Sequence, residues 1–95
     1  MRAVYKYKLE MPDADVVDVR VMMPAFSDFL HVAFQGEDAF IWAEVDTDQP
    51  MQPYEFEVYA TGQEHRLERY TYLQHMGTFF AGPNVWHLFQ RRVRE

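Results

Sequence analysis

Alternation of apolar and polar residues with a period of two runs through most of the chain, and it constrains the fold more than any other feature. In residues 17–22, for example, valines at 17, 19 and 21 are separated by Asp18 and Arg20. An amphipathic helix repeats its apolar side chains every three or four residues, whereas a strand presents alternate residues to opposite faces. The pattern therefore predicts a chain built of half-buried strands.

Seven segments carry this alternating or β-prone signal, and residues typical of turns separate most of them. The segments are 4–9, 17–22, 29–35, 39–46, 54–60, 70–80 and 85–93. Residues 63–69 alone have a helix-forming composition, and so short a stretch predicts a loop or one helical turn. We therefore predict an all-β, mainly antiparallel fold, either a small sandwich or a barrel, in a single domain over residues 1–95.

Local sequence features refine this prediction. Gly36, followed by Glu37 and Asp38, indicates a tight turn that joins the third and fourth strands as a hairpin. Gly77 falls inside the sixth strand, where a residue without a side chain indicates a bulge or a bend. The apolar strand faces give the predicted core: Val17, Val19, Val21, Leu30, Val32, Phe34, Ile41, Phe56, Val58 and Phe79.

The two faces of the last strand carry different residues. His87 shares one face with Val85 and Phe89, whereas Trp86 points to the opposite face. We predict that His87 faces the core and is hydrogen-bonded there, because a buried imidazole needs partners for its ring nitrogens. Trp86 would then pack against a second layer or a binding partner.

Composition excludes several classes of function. The chain has 95 residues, 48% of them hydrophobic, which is enough for one core. The absence of cysteine excludes disulfides and thiolate chemistry and fits a reducing compartment. The net charge of −6 disfavours nucleic acid as a partner. The sequence has neither an apolar run of about 18 residues nor an apolar signal-peptide region, so we expect no membrane association.

Histidines give little support for a metal site. His31, His65, His75 and His87 are at least ten residues apart, so no ligand pair occurs at short spacing. A site of three histidines from separate strands remains an alternative. We expect no metal and no cofactor.

Carboxylates occur in two same-face pairs, Glu55 with Glu57 and Glu44 with Asp46. Positions two apart on a strand are separated by about 6.6–7 Å, which suits acid–base chemistry on a sugar. The same spacing is typical of an ordinary solvated strand face. The only serine, Ser27, does not lie in a nucleophile elbow. We therefore predict that the protein is not an enzyme.

Aromatic residues are the candidate binding residues. They make up 17% of the chain, and several alternate with polar residues. They either pair across strands or form a recognition patch, since Tyr, Trp, Phe and Met are enriched in interface cores. Six methionines add adaptable apolar surface. The candidate binding residues are Trp42, Tyr59, Tyr70, Tyr72 and Trp86.

Several short motifs occur in a characteristic order. They are Tyr5-Lys6-Tyr7, Leu30-His31-Val32, Trp42-Ala43, Gly77-Thr78-Phe79 and Val85-Trp86-His87-Leu88-Phe89. With these motifs the chain resembles a family of small uncharacterised proteins encoded mainly by bacteriophages. Ala60 stands where that family has a glycine before Thr61-Gly62. The resemblance implies a phage origin, a small β fold and a location in the bacterial host cytoplasm, and it implies no catalytic residues.

Together these observations predict a non-enzymatic phage accessory protein that binds a host protein, in host takeover or against host defence. The alternatives are a β domain that binds or sequesters a small ligand or nucleotide, and a small hydrolase. We also expect a homodimer, because the strand with Tyr5 and Tyr7 or the strand at 70–80 would leave an open edge. The arginines at 91, 92 and 94 are more typical of a solvated chain end, or of charges that guard an edge strand, than of a nucleic-acid contact.

Overall fold

The computed structural model describes residues 1–11, 18–64 and 71–93 of the chain. Its seven strands confirm the predicted all-β fold, and their bounds lie within a few residues of those expected. They are β1 (Arg2–Leu9), β2 (Asp18–Pro24), β3 (Asp28–Gln35), β4 (Asp38–Asp46), β5 (Met51–Ala60), β6 (Thr71–Ala81) and β7 (Asn84–Val93). Within those described ranges there is no helix that could cross a membrane. The helical turn considered for 63–69 falls mostly outside them.

The strands form two sheets, ordered β1-β4-β3 and β2-β5-β7-β6. All five strand pairings are antiparallel. The predicted β3–β4 hairpin is confirmed, and Gly36 at its turn has a φ of 67°, which glycine adopts without steric cost. The sheets pack face to face as a sandwich, with β3 against β6 and β1 beside β2.

The core lies between the two sheets and follows the alternation of the sequence. In β4, Ala39, Ile41, Ala43 and Val45 are buried, while the residues between them are only partly so. Phe34 is half-buried and packs against this core. Val17 lies outside the described residues. The predicted core residues that are buried are Val19, Val21, Val32, Ile41, Phe56, Val58 and Phe79.

The prediction that Leu30 belongs to the core is wrong, because Leu30 is 52% exposed. The β3–β4 register shifts between Phe29 and His31, so that Leu30 is an extra residue with no partner on β4. A bulge of this kind reverses the face of the residues before it relative to those after it. Phe29 therefore packs against the core in the place predicted for Leu30.

The faces of β7 are the reverse of those predicted for His87 and Trp86. Leu88 is fully buried and Trp86 packs against the core, which places His87 on the outer face of its sheet. Both faces of this strand carry apolar residues, but tryptophan has the largest apolar side chain among them and buries the most area when it faces the core. His87 instead finds its hydrogen-bond partners at the surface, in the hydroxyls of Thr61 and Thr78.

Gly77 lies where β6 packs against β3 of the other sheet. The β6–β7 register shifts between His75 and Gly77, which confirms the predicted bulge. A Cβ atom at position 77 would lie 2.8 Å from Cγ1 of Val32 on β3. Glycine is therefore required here by space, and the bulge places its backbone against the opposing sheet.

Candidate functional site

The turn between β2 and β3 presents an aromatic residue in an unusual conformation. Among the described non-glycine residues, only Phe26 has a positive φ, 63°, and its side chain is 76% exposed. The left-handed conformation costs an L-residue roughly 1–2 kcal/mol. An exposed ring recovers little of this cost through burial. Strained conformations of this kind occur preferentially at functional sites.

Hydrogen bonds fix the conformation of this turn. The carbonyl of Pro24 accepts hydrogen bonds from the Ser27 hydroxyl at 2.6 Å and from the Tyr54 hydroxyl at 2.8 Å. The Tyr54 hydroxyl in turn accepts from the Ser27 backbone N–H at 3.2 Å. The N–H of Ala25 donates to the carbonyl of Pro50 at 2.8 Å. These bonds hold both sides of Phe26, so its backbone is positioned by the neighbouring strands.

A cavity of about 400 Å³ opens beside the turn, where β3 faces the second sheet. Met23 and Phe56 are almost fully buried and form its apolar floor. Asp28 is the one carboxylate among the described residues that line the cavity, and it accepts a hydrogen bond from Arg2 at 2.8 Å. The lining consists of Met23, Phe26, Ser27, Asp28, Phe29, Gln52, Tyr54, Phe56, Met76 and Gln90.

The candidate binding residues whose side chains the structure describes do not come together around this cavity. Trp42 is half-buried on the outer face of the first sheet, and Trp86 packs against the core. Tyr59 is fully buried on the outer side of the second sheet. Tyr70 lies outside the described residues, as does the side chain of Tyr72 on β6. Where described, these residues therefore occupy separate environments.

Trp42 belongs to an aromatic cluster on the outer face of the first sheet. Its ring centroid lies 6.0 Å from that of His31 and 6.1 Å from that of Phe40, and both ring pairs are tilted. The Lys6 ammonium lies 4.5 Å from the centre of the Phe40 ring and donates a hydrogen bond to Gln35 at 2.6 Å. Because Lys6 covers Phe40, the rings do not form an open flat platform.

A buried ionic network lies on the outer side of the second sheet. The Glu57 carboxylate is completely buried and accepts a hydrogen bond from the Tyr59 hydroxyl. Two guanidinium nitrogens of Arg91 also donate to this carboxylate, at 3.0 and 2.8 Å. Arg91 also donates to Asp18 at 2.8 Å. A buried carboxylate is tolerated when it is paired and hydrogen-bonded in this way. The network joins β5, β7 and the start of β2.

A chain of hydrogen bonds at the surface of the second sheet links two histidines and two threonines. Thr78 bridges Nε2 of His75 at 3.2 Å and Nδ1 of His87 at 3.0 Å. Nε2 of His87 lies 2.7 Å from the Thr61 hydroxyl. Within the described part of the chain there is no group of three or more His, Cys, Asp or Glu residues suited to a metal ion. The chain of hydrogen bonds thus satisfies the imidazoles as surface groups.

The carboxylate pairs considered for acid–base chemistry are held by cations. Glu55 pairs with Arg20 at 2.7 Å, and Glu44 pairs with Arg2 at 2.9 Å. Glu57 shares the strand with Glu55 but is buried against Arg91. These carboxylates therefore act in salt bridges that tie neighbouring strands together.

Asp46 is bound from two directions at the end of β4. Its carboxylate accepts a hydrogen bond from the backbone N–H of Asp48 at 3.0 Å and another from the Met1 ammonium group at 3.1 Å. Both bonds favour the ionised form, so they lower the pKa of Asp46, with the Asp48 bond as the larger cause. This carboxylate stabilises the turn that follows β4.

Comparison with known protein families finds a match that covers the whole chain. The model of DUF7352, described as a domain of unknown function, matches residues 1–95. Neither a curated protein nor a solved structure matches the sequence. The family match therefore assigns no site residues to this chain.

Proposed function

The chain belongs to the DUF7352 family, whose function is unknown, and we propose that it is a non-enzymatic protein that binds a partner protein through the surface around Phe26. We call this surface the Phe26 patch: it consists of Phe26, Met51 and the rim of the adjacent cavity. Met51 is paired with Pro24 across β2 and β5, and its side chain is exposed. The patch thus joins an exposed aromatic, an exposed methionine and a concave apolar surface.

The observation that carries the proposal is the combination of strain and exposure at Phe26. The backbone remains in the left-handed region although the side chain is 76% exposed and contributes little to the core. Aromatic and methionine side chains are enriched at the centres of protein interfaces, and an aromatic anchor beside a pocket is a common binding hot spot. A protein partner would bury the ring and recover the free energy that the conformation costs.

The identity of the partner is proposed from the sequence motifs. The motifs Gly77-Thr78-Phe79 and Val85-Trp86-His87-Leu88-Phe89 support a bacteriophage origin. A phage protein of this size without a catalytic cluster in its described residues fits an accessory role, in which it binds a host protein in the bacterial cytoplasm. Host takeover and inhibition of a defence component are the two roles that this proposal covers.

The test compares two exposed phenylalanines. Phe26→Asp places a charge in the patch, while Phe80→Asp is the matched control, since Phe80 is 67% exposed on β6 and does not line the cavity. Each variant is used to capture proteins from host lysate, and the partner that wild type retains is purified and titrated by calorimetry. We expect Phe26→Asp to weaken binding by more than about 30-fold and Phe80→Asp to leave it unchanged.

Two results of this comparison contradict the proposal. One is equal affinity of wild type and Phe26→Asp for the purified partner. The other is an equal loss of affinity in both variants, which would mean that charge anywhere on the surface is responsible. Circular dichroism and melting curves of each variant confirm that the compared proteins are folded.

Homodimer formation is a second proposal, and β1 supports it. This strand pairs only with β4 among the described strands, so its other edge is open. Val4 and Tyr5 on β1 are both about half exposed. Antiparallel pairing of two β1 strands would cover these side chains and extend the three-stranded sheet across a two-fold axis. Sedimentation at high micromolar concentration tests it, and a mass near the 11.4 kDa monomer would refute it.

A further inference from the structure

We infer that the cavity beside the β2–β3 turn binds a small, uncharged aromatic molecule. This site goes beyond the proposed partner surface, because the ligand would occupy the interior between β3 and the second sheet. The cavity volume of about 400 Å³ falls within the roughly 300–1,000 Å³ that is typical of small-molecule sites. It would otherwise hold on the order of ten water molecules, at about 30 Å³ each.

The side chains in the lining favour an aromatic ligand. Met23 and Met76 come from different strands, and thioethers make favourable contacts with aromatic rings. Phe29, Tyr54 and Phe56 offer ring edges and faces, which prefer offset or edge-to-face packing with another ring. A planar ring system inserted among these groups would replace water on apolar surface with such contacts.

Charge in the lining decides between ligand classes. Among the described residues, the lining contains no lysine or arginine, and its one carboxylate, Asp28, pairs with Arg2 at 2.8 Å. Arg2 lies outside the lining and is also held by Glu44 at 2.9 Å. A phosphate or carboxylate group would therefore be desolvated without a cationic partner, which is costly. A nucleotide is thus disfavoured as the ligand, although a neutral heterocycle of the size of a nucleobase is not.

Polar groups at the rim would orient the ligand. Gln52 lines the cavity, and its side-chain amide donates a hydrogen bond to the Tyr54 hydroxyl at 3.3 Å. A primary amide carries a second N–H group and a carbonyl oxygen, which are available to a ligand. Gln52 is exposed, so its side chain can adjust to a bound molecule. A ring nitrogen or hydroxyl on the ligand is the group that this amide would recognise.

The experiment uses methionine methyl groups as reporters. The protein is labelled with ¹³C at its methionine methyls and titrated with indole as the probe. We expect saturable shifts at Met23 and Met76, which line the cavity, and none at Met1 and Met22, which are exposed outside its lining. Absence of any shift up to the solubility of indole, or equal shifts at all four methyls, would overturn the inference.

Two variants and two further probes sharpen the result. Gln52→Trp fills the mouth of the cavity and should weaken indole binding at least tenfold, whereas Gln35→Trp, at the far end of β3, should not. Benzoate and adenosine monophosphate should bind at least tenfold more weakly than indole. Equal affinity for these anions would refute the preference for an uncharged ligand. The titration needs no partner protein, so its failure is independent of the proposed function.

Discussion

Replacing Phe26 separates the strain of the turn from the function of its side chain. Asparagine tolerates the left-handed conformation better than other non-glycine residues, because its side chain can hydrogen-bond locally. Phe26→Asn should therefore recover most of the roughly 1–2 kcal/mol that the observed φ of 63° costs. The loss of side-chain burial is small, since the ring is mostly exposed. We expect a net gain of about 1 kcal/mol in the free energy of unfolding.

Two companion substitutions check the physical reason. Phe26→Gly relieves the same strain but adds about 0.5–1 kcal/mol of backbone entropy to the unfolded chain, so its net gain should be smaller. Phe26→Ala keeps a Cβ atom, and with it the strain, so its stability should lie within about 0.5 kcal/mol of wild type. The predicted order of stability is therefore asparagine, then glycine, then alanine close to wild type.

Thermal and urea unfolding measure this order. A gain of 1 kcal/mol corresponds to a rise in Tm of roughly 4–8 °C for a domain of this size. The reasoning is refuted if Phe26→Asn lowers the Tm, because the phenylalanine ring would then be stabilising the fold through contacts that outweigh the strain. It is also refuted if alanine gains as much as asparagine.

Three further substitutions test other parts of the structure. Gly77→Ala forces a methyl group to within 2.8 Å of Val32, and we expect a loss of about 1–3 kcal/mol in urea unfolding; an unchanged midpoint would contradict the close approach of the sheets. Arg91→Met leaves the buried Glu57 carboxylate without its guanidinium, so it should cost about 3–5 kcal/mol, and a variant as stable as wild type would be evidence against the network. Asp46→Asn should change how the stability of the fold depends on pH in acid. The pKa of Asp46 is lower in the folded protein than its ordinary value of 3.8, so the ionised carboxylate stabilises the fold above that pH. This stabilisation is lost as the pH falls through the lower pKa of the folded state. The Tm difference between wild type and Asp46→Asn should consequently shrink from pH 5 to pH 2, and a constant difference would contradict this assignment.

Strands and their hairpin could be predicted from the sequence because they depend on local patterns. The alternation in 39–46 places every second residue of β4 in the core, as observed. Gly36 likewise indicates the β3–β4 turn, because glycine adopts the positive φ of this turn more readily than other residues do. These features need no knowledge of which other strands pack nearby.

Features that depend on distant residues could not be predicted in the same way. The bulge at Leu30 is set by the pairing of β3 with β4, and the residues around it carry no glycine or proline to indicate it. Both faces of β7 carry apolar residues, so alternation alone does not tell that Trp86 rather than His87 faces the core. The burial of Glu57 depends on Arg91, 34 residues further along the chain.

The site itself was the least predictable part. Pro24 signals the end of β2, but neither Ala25 nor Phe26 is a residue that favours a positive φ. The conformation arises from hydrogen bonds to Tyr54 and Pro50, which come from β5 and the residue before it. The sequence pattern drew attention to two tryptophans and to three other tyrosines, whereas the described lining of the cavity holds three phenylalanines, Tyr54 and two methionines.

Titration of the purified partner with Phe26→Asn tests most directly whether Phe26 keeps its strained conformation for binding. Phe80→Asn serves as the control, because it removes another exposed phenylalanine from a strand without a positive φ. We expect Phe26→Asn to melt at a higher temperature than wild type and to bind the partner more than about 30-fold more weakly, while Phe80→Asn binds it normally. Wild-type affinity in the stabilised Phe26→Asn variant would contradict this expectation.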